Sequence, residues 1–111
     1  MEQFYRVIND TCNVVNFSAE GVITDISQNL LNVWGVTDKN VFVGKHYAEL
    51  VGNEGYSSVW DNMKKGKYFA DVRPVTTHTG QTLTFRHNFM PLCDQQGKLM
   101  QVLLFAFPES N

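Results

Sequence analysis

Residues Gln81 to Phe107 read QTLTFRHNFMPLCDQQGKLMQVLLFAF. The first half alternates. Leu83, Phe85, His87 and Phe89 fall on one face, and Thr82, Thr84, Arg86 and Asn88 on the other. That period of two predicts a strand over 81–92 with one side on a core. Asp94-Gln-Gln-Gly97 has turn composition. Leu99 to Phe107 is almost continuously apolar, the pattern of a strand covered on much of both faces, and therefore a central one. Two long strands joined by so short a turn pair antiparallel.

Working outward, Lys67 to Thr77 predicts a third long strand, reaching the second through a turn at Thr79-Gly80. Near the other end, Asn13 to Phe17 and Val22 to Ile26 read as a hairpin closed by Ser18-Ala-Glu-Gly21. The middle of the chain is helical. Ser27 has the chemistry of an N-cap for a helix through Val33, with Leu30, Leu31 and Trp34 apolar and Gly35 ending it. Thr37 to Gly44 is irregular, and Lys45 to Val51 makes a helical turn or two. In Glu54 to Lys65, Tyr56, Val59, Trp60 and Met63 fall at i, i+3, i+4 and i+7, one apolar stripe. Lys64 and Lys65 complement the dipole of its last turn before Gly66. Strands at both ends around a helical middle imply an α+β fold: a five-stranded antiparallel sheet with short helices over one face. The last strand lies centrally, beside the first. Glu2 to Ile8 forms a short N-terminal helix, which divides the chain into a flanking helix over 1–10 and a domain over 11–108.

The composition supports this reading. The 111 residues are 43% hydrophobic and 18% charged, with a net charge of −2, a balance that folds as one domain. It lacks the clustered Lys and Arg that nucleic acid or an anionic membrane requires, so neither is expected as a partner. The two cysteines, Cys12 and Cys93, make no disulfide framework and read as free thiols. No signal peptide is visible, and no run approaches the roughly 20 apolar residues that span a bilayer. The expectation is a soluble, cytoplasmic domain without membrane insertion.

Spaced landmarks over residues 12 to 107 give the chain a resemblance to the PAS domain family of sensory modules. Gly21-Val22-Ile23 resembles the family's early hairpin turn. Leu31 through Gly35, then Val43-Gly44-Lys45, is similar to its small-helix region, and Trp60, Met63 and Gly66 to the end of its long helix. Thr79-Gly80 resembles a turn between strands, and Pro91-Leu92-Cys93-Asp94-Gln95-Gln96-Gly97 the turn before the last strand. Ser27 stands where the family often has Asn. The Asp-x-Thr that often follows the last strand is replaced by Phe107-Pro108-Glu109. The resemblance implies a pocket between sheet and helices and a sensory input role of chemoreceptor or sensor-kinase type. It also implies a homodimer formed through the N-terminal helix and a downstream signalling module in a longer protein.

Enzyme chemistry has little support in the motifs. No G-x-S-x-G elbow, Gly-rich phosphate loop or ligand-spaced Cys/His pair occurs. The competing class is a small cone-shaped α+β enzyme acting on an apolar small molecule, with His87 paired to Asp71 or Asp25. Strand parity does not bring those residues together. The expected pocket lining is Trp34, Tyr56, Trp60, Phe85, His87 and Leu103, with His87 as the polar group that orients a ligand. A small organic ligand, or none, is the leading expectation. Haem would need an axial histidine, His46 ahead of His87, while His78 sits solvated in a turn. Non-covalent flavin could stack on Trp34 or Trp60. The family's flavin photo-adduct needs a cysteine in the middle helices, where this chain has none.

Overall fold

The computed structural model describes residues 13–76 and 80–108. The expected flanking helix over 1–10, with Cys12, His78 and Thr79, lies outside the described residues. Five strands form one antiparallel sheet: β1 (Val14–Ser18), β2 (Ile23–Ile26), β3 (Phe69–Thr76), β4 (Thr82–Cys93) and β5 (Leu99–Pro108). Their spatial order is β2-β1-β5-β4-β3. The apolar β5 is central and pairs with β1 on one side and β4 on the other, as its composition requires. The alternating register of β4 also holds: Phe85, His87 and Phe89 are buried while Thr82 and Arg86 are exposed.

The helical layer comprises α1 (Gln28–Trp34), a 3-10 turn at Lys39–Val41, and α2 (Ala48–Lys64). Here the structure extends the sequence reading. The helix expected from Glu54 begins at Ala48, because the turn expected over 45–51 runs into it. The junction is a break at Gly52, whose φ of 85° and ψ of 167° lie outside helical space. Sequence patterning shows the apolar stripe after the break but not that the preceding turn joins it. Val59, Trp60 and Met63 of α2 pack with Leu30 and Leu31 of α1 onto the inner sheet face, against Phe17, Phe85, Phe89 and Val102.

The lining expected from β5 is off by one residue. Leu104 pairs with Val15 and Phe89, both buried on the inner face. Leu103 pairs with Asn16 and Met90 and so belongs to the opposite face. A strand apolar on both sides carries no alternation, so its register is undefined until its neighbours are placed.

Ser27 is fully buried and joins α1 to the sheet. Its Oγ accepts hydrogen bonds from the N–H of Val14 at 3.0 Å and of Leu30 at 3.4 Å, while its own N–H donates to the Val14 carbonyl at 2.9 Å. Ser27→Ala leaves two buried donors without their acceptor and is expected to lower stability by about 2 kcal/mol in urea unfolding. A loss under about 0.5 kcal/mol would show that the hydroxyl is dispensable.

Candidate functional site

The helical layer does not fill the space above the sheet. Between the Gly52 break, α1 and the β1–β2–β5 part of the inner face lies a cavity of about 360 Å³. Its floor is Val15 and Phe17 of β1, Ile23 and Ile26 of β2, and Leu104 of β5. Trp34 at the end of α1 and Phe42 form one wall, their rings 5.3 Å apart. Leu50 and Val51, just before the break, cover it. Arg73 and Val75 of the edge strand β3, with His87 of β4, complete the lining beside Tyr47.

Almost all of this surface is apolar, which makes its few polar atoms informative. Trp34 Nε1, Tyr47 Oη and both ring nitrogens of His87 are buried with no hydrogen-bond partner among the described residues. Tyr47 is 4% exposed and His87 7%. Buried polar groups are normally paired, and leaving one unpaired costs about 1–3 kcal/mol. All three side chains belong to the lining of the one apolar cavity, the kind of concave, largely apolar space in which small molecules bind.

Electrostatics keep two of them uncharged. Burial, assisted by the positive charge of Arg73 and opposed by Asp71, pushes the His87 imidazole down from 6.5 to about 4. Burial also pushes the Tyr47 phenol up to about 12. Both are therefore neutral at pH 7. Asp71 lies directly opposite His87 in the β3–β4 register, a proximity the sequence reading did not foresee. Its carboxylate is nonetheless engaged elsewhere. Oδ2 accepts from Arg73 Nε at 2.8 Å and Oδ1 from the Val72 N–H at 2.8 Å, and the Arg73 hydrogen bond is the main cause that holds the group below the usual carboxylate range.

Of the expected lining, Trp34 and His87 face the cavity. The other four, and the axial candidate His46, are placed elsewhere. Trp60 is core: its Nε1–H donates to the Ala19 carbonyl at 2.8 Å, and Tyr56 stacks on it at 5.0 Å. Tyr56 Oη donates to the Glu20 carbonyl at 3.1 Å. His46 Nε2–H donates to the same carbonyl at 2.8 Å while Nδ1 accepts from the Ala48 N–H at 3.0 Å, so neither nitrogen is free for an iron. Phe85 lies beneath, its ring 6.2 Å from that of His87, and Leu103 is on the outer face. Tyr47 and Arg73 were missed. Tyr47 stands in a segment without periodicity, and Arg73 on an edge strand reads as solvated until the opposite helix is in place. Among the described lining residues there is no cysteine to form a flavin adduct.

Comparison with known proteins fixes the architecture. No family model matches the chain. The biofilm dispersion protein BdlA of Pseudomonas aeruginosa is 28% identical over 97 residues, which are 83% of this chain and 23% of that protein. The chain thus spans under a quarter of the length of that relative. The PAS domain of BvgS from Bordetella pertussis superposes with a TM-score of 0.76 at 20% identity, over 99% of this chain and 87% of that one. This chain has the PAS fold. A domain of a sensory box sensor histidine kinase/response regulator from Geobacter sulfurreducens also shares the PAS fold, at TM-score 0.76 and 19% identity, over 95% of this chain and 91% of that one. The PAS architecture agrees with the sheet order and helical cover expected from the sequence, and no helix among the described residues is long and apolar enough to cross a membrane.

The buried imidazole makes stability depend on pH. In the unfolded chain His87 takes up a proton near pH 6.5, and in the folded protein only near 4. Between those values the unfolded state binds more protons, so stability falls as pH drops from 6.5 to 4. The loss expected from this residue is on the order of 3 kcal/mol. Urea unfolding of the wild type and His87→Phe at pH 7 and pH 4.5 checks it. The variant should lose clearly less stability over that interval, and equal losses would place the sensitivity elsewhere.

Proposed function

We propose that this chain is a sensory signalling input domain that binds a small organic molecule in the cavity between its sheet and helices. The observation that carries the reading is the largely apolar cavity of about 360 Å³ between sheet and helices, lined by Trp34, Tyr47 and His87. We assign Trp34, Tyr47, His87 and Arg73 to ligand contact, and His46, Tyr56 and Trp60 to seating the helix that closes the site. Similarity to BdlA and to domains of BvgS and a sensor histidine kinase supports a place in a longer signalling protein of chemoreceptor or sensor-kinase type. There, occupancy of the cavity shifts the sheet and the segments flanking it, which biases an output module. Pairing with a second copy through residues 1–10 belongs to the same proposal, and sedimentation with and without those residues tests it.

The competing enzyme reading draws support from the Asp71–His87 juxtaposition. Two observations weaken it. Asp71 is bound to Arg73 rather than to the imidazole, and a histidine held near 4 is a weak base at neutral pH.

The absorption spectrum of the purified protein separates haem and flavin from a colourless ligand. Native mass spectrometry then detects a retained molecule, and a thermal-shift screen finds one that was lost. A ligand at 100 times its Kd adds about 2.7 kcal/mol and raises Tm by about 10 °C. Val75→Trp, which fills the cavity from its half-buried edge position, should abolish that shift while the protein remains folded. A folded Val75→Trp protein with undiminished affinity would sink the assignment of the site.

A further inference from the structure

At pH 7 the cavity has one charged side chain in its lining, Arg73, and the fold uses only part of that charge. Resting on the ligand-binding reading above, we infer that the occupant is an apolar monocarboxylate of one or two rings, its rings within the cavity and its carboxylate end-on against Nη1 and Nη2 of Arg73.

Arg73 reaches the cavity from the edge strand β3, where it stands opposite the buried Phe85 of β4. Its Nε–H donates to Asp71 Oδ2 at 2.8 Å, the one hydrogen bond of its side chain among the described residues. That leaves Nη1 and Nη2, the pair that grips a carboxylate end-on, without a partner there. The guanidinium extends from the sheet to α2. Nη1 lies 3.7 Å from the position a Cβ would take on Gly55, just past the Gly52 break. The side chain therefore spans the β3 side of the cavity and keeps 27% of its surface exposed. A carboxylate at this rim retains part of its hydration, so the cost of removing an ion from water is smaller here than deeper in the cavity.

Asp71 offsets the arginine without cancelling it. Its carboxylate lies outside the lining and is itself 37% exposed. The interior registers the difference. After burial, the largest influence on both His87 and Tyr47 is the positive charge of Arg73, ahead of the opposing charge of Asp71. No acidic side chain belongs to the lining. An anion at the rim gains from this potential, and an ammonium group is repelled by it. The rest of the lining suits the other end of the molecule. Phe17, Trp34, Phe42 and Tyr47 supply rings against which an aromatic body can stack or pack edge-on. About 360 Å³ equals about twelve water molecules at roughly 30 Å³ each, room for one or two rings.

Three probes of nearly equal size and shape test the inference by ligand-observed NMR titration of the intact chain: 2-naphthoate (an anion), 2-naphthamide (its neutral counterpart) and 2-naphthylmethylammonium (a cation). The expected result is that 2-naphthoate binds about tenfold tighter than 2-naphthamide and that the cation binds weakest. Raising NaCl from about 0.05 M to about 0.5 M should weaken 2-naphthoate severalfold and leave 2-naphthamide unweakened. Arg73→Gln should cost 2-naphthoate about tenfold and leave 2-naphthamide within about twofold. 2-Naphthamide binding as tightly as 2-naphthoate, or a 2-naphthoate affinity indifferent to salt, would overturn the anionic class and leave the ligand-binding reading standing. A folded Arg73→Gln protein that still prefers 2-naphthoate would remove Arg73 as the carboxylate contact. Binding of none of the three up to millimolar concentration would overturn this inference, and the reading beneath it falls too if the thermal-shift screen also finds nothing.

Discussion

A missing Cβ at Gly21 holds the two layers of this domain together. The residue has a φ of +92°, and a Cβ there would lie 2.6 Å from Cε1 of Tyr56 and 3.0 Å from Nε2 of His46. Because that volume is empty, the ring of Tyr56 and the imidazole of His46 can both approach the β1–β2 turn and bond the Glu20 carbonyl. Trp60 reaches the adjacent Ala19 carbonyl, and the Gly21 carbonyl accepts from the Tyr47 N–H. Residues 44–47 then run along the free edge of β2, exchanging backbone bonds with Ile23 and covering an edge that would otherwise be open to another strand. Four hydrogen bonds thus tie one turn to α2 and the segment that leads into it.

That positioning explains both the core and the cavity. Beyond Gly52, α2 lies close on the sheet, and Trp60, Phe17, Tyr47 and Phe89 form a continuous set of ring contacts between 5.3 and 5.9 Å. Before Gly52 the chain takes a different direction, and Leu50 and Val51 roof a space they do not fill. The break permits a well-packed half and a hollow half under one helix. The hollow half is also where His87, Tyr47 and Trp34 come together, each with a buried polar atom that has no hydrogen-bond partner among the described residues.

Legibility differed between the frame and the site. The alternation of Leu83, Phe85, His87 and Phe89 and the unbroken apolar run of β5 made the central strands readable, because period-two burial is a local property. Ser27 was readable as a cap by its chemistry. The site was only half readable. His87 was visible as a polar residue on an apolar face, and Trp34 as an aromatic at a helix end. Tyr56 and Trp60 looked equally suited to a pocket, since an aromatic stripe says that a face is buried but not whether another side chain or a void lies against it.

The sequence by itself determined the strands, their antiparallel pairing, the central place of β5 and the apolar face of α2. Each of these follows from periodicity and turn chemistry within a few residues of the position concerned. Only the tertiary structure decided which face of β5 is inner, that Asp71 stands across from His87 and belongs to Arg73, and that Tyr47 joins Trp34 and His87 around one cavity. Those facts depend on groups far apart in the chain meeting in space. No local pattern encodes an empty volume, because a cavity is defined by where side chains from five strands and two helices stop short of one another.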